Sequence, residues 1–289
     1  MTGEQNAYGK KSYEYAIGRI KATNHPVLTG EQWSRLREAD YQGAVKLIEE
    51  YGYPRIEEGG NVRQSIDSEM ERAVEFILEL APDQELTNLL FFEEDALNLK
   101  LFLKAKLVGK KREGLPTVKG SFLPELLRIC ADTEDFSMLG TVLEKELAGI
   151  EDESDPFLIS CKVDRAMFTH SLKGTEKKHS RAFNKLLTVY GAGRNRLTAM
   201  RMRKLEREPV GDAFLPVSYS EFAAKDAHRT EDEILQDVNK RLEAVLTEMG
   251  WDDGMGVLAQ YYFQKKNEAA ALRLLFARKS LEGQGGSNE

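Results

Sequence analysis

Between positions 231 and 249 the apolar residues Ile234, Leu235, Val238, Leu242, Val245, Leu246 and Met249 recur three and four apart, which is one face of an α-helix. The other face carries Glu231, Asp237, Lys240 and Glu248. Thr230 with Glu233 has the form of a capping box, in which two side chains satisfy free N–H groups at a helix start, and the predicted helix ends at Gly250. Thr29 with Gln32 repeats the box ahead of EQWSRLREADYQGAVKLIEEYG. Alternating Val/Ile/Thr runs bounded by turn pairs are missing, so the pattern predicts no strands and an all-α chain.

Proline and glycine mark the joints: YPRIEEGGNVRQS (53–65), GKKREGLPTVKGSFLP (109–124) and EREPVGDAFLPVS (206–218). They suggest three helical units, 1–113, 114–209 and 210–289, the last with a flexible tail, GQGGSNE (283–289).

Each unit holds one long helix of related form. FFEEDALNLKLFLKAKLVGK (91–110) and FQKKNEAAALRLLFARKSLEG (263–283) both open on aromatics, carry an acid, and turn apolar with interleaved bases. Asp95, Asn98, Lys104 and Lys106 set the pattern. At the same offsets GAGRNRLTAMRMRKL (191–205) has Ala192, Asn195, Arg201 and Arg203, and the last helix has Glu268, Ala271, Ala277 and Lys279. The anchor positions 98, 195 and 271 are unevenly and widely spaced, as in three divergent copies rather than a short-period solenoid.

On a helical wheel Asp95, Asn98, Phe102 and Lys106 share one stripe, with Lys100 and Lys104 roughly opposite and leucines on both flanks. Such a helix packs on two sides, like a strut. Asp95 and Lys106 are eleven residues apart, about 16 Å along the axis, so each end meets something different. Bases gather at the helix ends: Lys104 and Lys106, Arg201 and Arg203, Arg278 and Lys279. Cations there favour the helix dipole. They are also the candidate partner interface, a basic rim.

The chain has 289 residues, 41% hydrophobic and 31% charged, with 8 prolines, which suits a mostly helical protein. Its net charge of −7 argues against a surface that attracts nucleic acid or anionic lipid as a whole. RNRLTAMRMRKLER (194–207) would be the site of the alternative, a helical scaffold or RNA-associated module, although it lacks interleaved aromatics. Cys130 and Cys161 have no ligand-like spacing and read as reduced, buried thiols. MTGEQNAYGKK has no apolar signal core, and no run of about 18 apolar residues would cross a membrane.

Catalytic and metal signals are weak. His25, His170, His179 and His228 form no metal-ligand pair, and EDESD (151–155) reads as a solvated loop. Gly191-Ala192-Gly193 lacks the context of a phosphate loop and reads as a helix break. No nucleophile motif occurs. We expect no catalytic residue, cofactor or metal.

Asp95-x-x-Asn98-Leu-Lys-x-x-x-Lys104-Ala-Lys106 resembles the conserved helix of the V-type/A-type rotary ATPase subunit called C in prokaryotes and d in eukaryotes. YEYAIGRIKATNHPVLTGEQWSRLREAD (13–40) is similar to that family's first two helices. VDRAMF (163–168) resembles a phrase opening a helix of its middle unit, and NEAAALRLLFARKSLEG (267–283) its closing helix. Ala192 and Ala271 depart from the family's acidic and amide residues, and the chain is short for the family. The resemblance implies a funnel of three units about a pseudo-threefold axis on the cytoplasmic face of the membrane rotor ring. It would be peripherally attached and would receive the central shaft, subunits D and F. The implied role is non-catalytic: coupling shaft to ring in ATP-linked H+ or Na+ transport.

Overall fold

A computed structural model describes residues 12–22, 27–56, 60–208, 211–249 and 254–285. His25, Gly250, the first eleven positions and the end of the tail from 286 lie outside the described residues. In chain order the α-helices are α1 (Tyr13–Lys21), α2 (Gly30–Glu38), α3 (Tyr41–Glu50), α4 (Val62–Leu80), α5 (Gln84–Asn88), α6 (Phe92–Leu107), α7 (Pro124–Thr133), α8 (Thr141–Leu147), α9 (Pro156–Lys177), α10 (Arg181–Lys204), α11 (Ser220–Asp226), α12 (Glu231–Met249) and α13 (Met255–Gly285). The described residues contain no strand; the fold is all-α.

Local chemistry sets many of the boundaries. Thr29 and Gln32 form the expected reciprocal box at α2, Asn61 and Gln64 form another at α4, and Thr230 and Glu233 a third ahead of α12. Pro124 and Pro156 open α7 and α9, where a missing N–H costs nothing. Gly109, with φ of 66°, ends α6 and lets the Lys110 N–H return to the Ala105 carbonyl at 2.8 Å.

The chain divides into two compact bodies: residues 1–82 with 257–289, and residues 83–256. The expected unit boundaries at 113 and 209 both fall inside the second. In the first, Leu28, Leu36, Ala44, Ile48 and Ile66 share a core with Leu272 and Phe276 of α13. Chain start and chain end are therefore one folding unit. In the second body α6 packs on α7 and α9, and α10 packs on α9 and α12.

Four local readings change. The Gly191–Gly193 stretch does not break a helix: α10 runs through it. Its glycines permit close packing, since a Cβ at Gly191 would come within 2.7 Å of Phe168 Cζ, and one at Gly193 within 2.6 Å of Val238 Cγ1. VDRAMF lies inside α9, which opens earlier at Pro156. On α12, Leu235 is exposed despite its place in the apolar period, and Asp237 is half-buried against Arg196 rather than solvated. Cys130 is buried and Cys161 half-buried; both are free thiols, and burial pushes the Cys161 thiol up to about 11.

Candidate functional site: tied ends and an open face of the repeated helices

The repeated sequence offsets make repeated bonds. At the amide position of α6, the Asn98 side chain donates to the Val118 carbonyl at 2.8 Å and accepts from the Val118 N–H at 3.0 Å. At the matching position of α10, Asn195 donates to the Leu215 and Val217 carbonyls, each at 2.9 Å, and accepts from the Leu215 N–H at 2.8 Å. Each asparagine therefore grips a non-helical segment beginning 20 residues later, bonding backbone groups that lie outside any helix. Ala271, the third counterpart, has no side chain to do this.

The acid position ties a helix start. Asp95 is buried and accepts from the Phe122 N–H at 3.0 Å, the Ser121 N–H at 3.2 Å and the Ser121 hydroxyl, just ahead of α7. Burial nevertheless lifts its carboxyl to about 7, against hydrogen bonds that favour the ionised form. Glu268 does the same for α2 by accepting from the Leu28 N–H, and also accepts from Tyr53 Oη at 2.6 Å. It pairs with Lys265 at 2.8 Å, and Lys265 reaches Glu69 at 3.0 Å. All three of these charged residues are under 5% exposed.

The base position ties the end of the same short helix. Lys106 Nζ donates to the carbonyls of Ala131 and Asp132 at 3.0 and 3.1 Å, closing α7. Arg203 donates to Asp226 and Ala227 at 3.0 and 3.3 Å, closing α11. Lys279 donates to Arg37 at 2.9 Å and to Ala39, closing α2. A cation set on the free carbonyls of a last turn answers both their hydrogen-bonding need and the negative end of the dipole.

Of the six residues expected at a partner interface, Lys106, Arg203 and Lys279 are thus committed to helix ends. Arg201 pairs with Glu231 at 3.0 Å on the surface. Lys104 is half-buried and Arg278 exposed, and neither makes a hydrogen bond or ion pair among the described residues. The structure brings Lys104 and Lys106 together on α6, Arg201 and Arg203 on α10, and Arg278 and Lys279 on α13.

A second repetition escaped sequence reasoning. Leu97, Leu101, Lys104 and Val108 form a stripe along α6 whose leucine and valine ends are 53% and 62% exposed. At the same offsets α10 presents Arg194, Thr198, Arg201 and Leu205, and α13 presents Ala270, Leu274, Ala277 and Leu281. Leu205, Leu274 and Leu281 are 65%, 55% and 71% exposed. The spacing of four, three and four residues keeps each set on one face. Large apolar side chains are thus exposed at one sequence register of α6 and α10 and, in the other body, of α13.

Buried charge was also missed. Arg196, 2% exposed, bonds Asp226 at 2.6 and 3.0 Å and Asp237 at 2.6 Å, and stacks on Phe222. Among the bases of 194–207 Arg196 is the buried one; Arg194, Arg201, Arg203, Lys204 and Arg207 are exposed, with Arg207 over Phe157 and near Asp155. Among the described residues no group of three or more His, Cys, Asp or Glu is placed to hold a metal. No helix among them is long and apolar enough to cross a membrane.

What the geometry defines is an all-helical scaffold in which α6 and α13 each hold both ends of a shorter helix and α10 holds the end of α11. The family model described as ATP synthase (C/AC39) subunit matches residues 16–220, and the chain belongs to that family. Membership makes it a V/A-type ATPase subunit. A comparison with curated proteins finds no match.

Proposed function

We propose that this chain is the central-stalk subunit that couples the shaft, subunits D and F, to the membrane rotor ring. The observation that carries this reading is the exposed face at one register of α6, α10 and α13, on helices whose ends are tied. A coupling piece transmits torque only if its contact helices do not shift under load. Ties to both ends of the neighbouring helix on α6 and α13, and to the end of α11 on α10, supply that stiffness. Lys104, Arg201 and Arg278 are the members of the expected basic interface best able to meet a partner, because their charges are free or held in an exposed pair. The chain acts without catalysis, at the cytoplasmic side of the membrane and attached through its partners.

Co-sedimentation tests this. The purified chain is mixed with a D/F shaft pair and, separately, with membranes carrying the rotor ring. It should bind each, and should bridge the shaft to the membrane when all are present. Failure to bind either component removes the reading. The coupling reading is preferred to the RNA-associated one because the basic run 194–207 has no interleaved aromatics and several of its exposed bases are engaged within the chain, Arg201 and Lys204 by Glu231 and Arg203 by the end of α11.

A further inference from the structure

A cavity of about 410 Å³ opens in the second body between the end of α5, the segment ahead of α7, the start of α8 and the second half of α9. Its size is that of a small-molecule site. Leu89 and Leu139, nearly sealed, and Phe122 and Val142, half-buried, line it with apolar surface. Asp95 fixes one side of it, because it holds the N–H groups of Ser121 and Phe122. Gly174, one turn along α9 from His170, lets Leu89 lie against the helix, where an added Cβ would come within 2.6 Å of Leu89 Cδ1. That close approach also brings the adjoining Asn88 to the cavity.

The charged groups around the cavity answer one another. Lys178 pairs with Glu85 at 2.6 Å and with Asp83 at 3.2 Å, Lys173 lies 3.6 Å from Glu146, and Lys177 faces Glu85. Three ammonium groups thus stand against three carboxylates, and charge does not select an ionic ligand. Two neutral polar groups have no such answer. The half-buried side chains of His170 and Asn88 make no hydrogen bond among the described residues. The His170 ring meets Phe122 at 6.2 Å with a 49° tilt. Burial holds its imidazole below the ordinary value, so it is uncharged at neutral pH. An uncharged imidazole keeps one nitrogen as an acceptor, and an amide offers N–H donors. A hydroxyl on a flat apolar ring answers both, donating to the imidazole and accepting from the amide.

We propose that this cavity binds a neutral small molecule of the phenol class, its hydroxyl between His170 and Asn88 and its ring against Phe122 and Val142. The site is separate from the coupling role.

The probe is para-cresol, titrated into the full-length chain and followed by NMR. Its methyl ether, which cannot donate a hydrogen bond, and para-toluate, which is anionic, are the comparators. Para-cresol should bind saturably, with a Kd at or below about 1 mM. It should bind about three- to tenfold more tightly than the ether and no less tightly than para-toluate. It should also shift the imidazole resonances of His170 and not those of His179 and His228. His170→Phe should keep the ring bound and erase the preference over the ether, whereas His228→Phe, at an exposed imidazole, should retain that preference. Val142→Trp, which fills the cavity, should weaken binding of para-cresol at least about tenfold. Circular dichroism confirms that each variant is folded. Should His170→Phe not fold, the wild-type spectrum carries the test, and no shift at His170 overturns the proposal. Absence of saturable binding, equal affinity for the ether, tighter binding of para-toluate, or a preference that survives His170→Phe overturns it as well. So does displacement of para-cresol by the shaft pair, which would give the cavity to a side chain of that partner.

Discussion

The ammonium group of Lys279 donates to the backbone carbonyl of Arg37 at 2.9 Å, joining residues 242 positions apart. The bond is the third instance of a contact made by Lys106 on α7 and Arg203 on α11, but here the short helix lies at the start of the chain. In the first two cases the long helix ties a segment that follows it. In the last, α13 ties α2, so chain start and chain end complete one repeat between them.

Lys279→Met keeps the apolar stem and removes the charged donor from two carbonyls. A hydrogen bond to a charged group contributes about 1.5–3 kcal/mol, and the freed carbonyls lie in a mostly buried place. The variant should lose about 2 kcal/mol in urea unfolding. Amide exchange over residues 30–38 should quicken more than over 124–133, which lies in the other body. Unchanged exchange over 30–38 would show that the clasp contributes nothing.

Asp95 gives a pH signature. Its folded carboxyl, at about 7, lies above the unfolded value of about 3.9, so between them the folded state binds more protons. That contribution is complete below about pH 4 and is lost as pH rises through about 7. Asp95→Asn cannot titrate. Wild type should therefore lose stability relative to the variant between about pH 4 and 7, by at most about 4 kcal/mol. A difference between the two proteins that stays flat with pH would place the Asp95 carboxyl near its ordinary value.

Much of this architecture is legible in the sequence. The caps at Thr29 and Thr230 announce themselves because a capping box is local chemistry within four residues. The offsets joining Asp95, Asn98 and Lys106 are also legible, including the inference that each end meets something different. What they meet is not, because Phe122, Val118 and Ala131 contribute backbone atoms, which every residue has. Arg196 and Lys265 are hidden for another reason. A charged residue among other charged residues looks solvated until tertiary packing supplies Asp226 and Asp237, or Glu69 and Glu268. Gly191 and Gly193 misled because helix propensity disfavours glycine, and close contact with Val217 and Val238 outweighs it.

That competition can be measured. Gly18, in α1, has nothing within 4 Å of an added Cβ, so Gly18→Ala should gain about 0.5–1 kcal/mol from backbone entropy. Gly193→Ala should gain the same intrinsically but push against Val238, where overpacking costs about 1–3 kcal/mol. The net effect should be destabilisation. Adding Val238→Ala should make room for the new methyl, so that the double variant is more stable than the sum of the two single changes. Simple additivity would mean that the close approach does not constrain position 193.

Lys265 sits 3.0 Å from Glu69 and 2.8 Å from Glu268, with all three side chains nearly sealed from water. Two carboxylates share one ammonium, so removing it leaves like charges facing each other in a medium that hydrates neither. Breaking such a set by deleting one member costs about 3–5 kcal/mol, whereas replacing charges together with apolar groups of similar volume is often close to neutral. Glu268 must remain, because it also holds the Leu28 N–H and the Tyr53 hydroxyl, and its charge adds to burial in pushing the Tyr53 phenol upward. Lys265→Met should therefore be severely destabilised in thermal and urea unfolding. Lys265→Met/Glu69→Leu, which leaves one carboxylate with two donors, should recover at least half of the loss. If the double variant is no better than the single one, the damage comes from lost packing of the lysine stem rather than from charge left without a counterion.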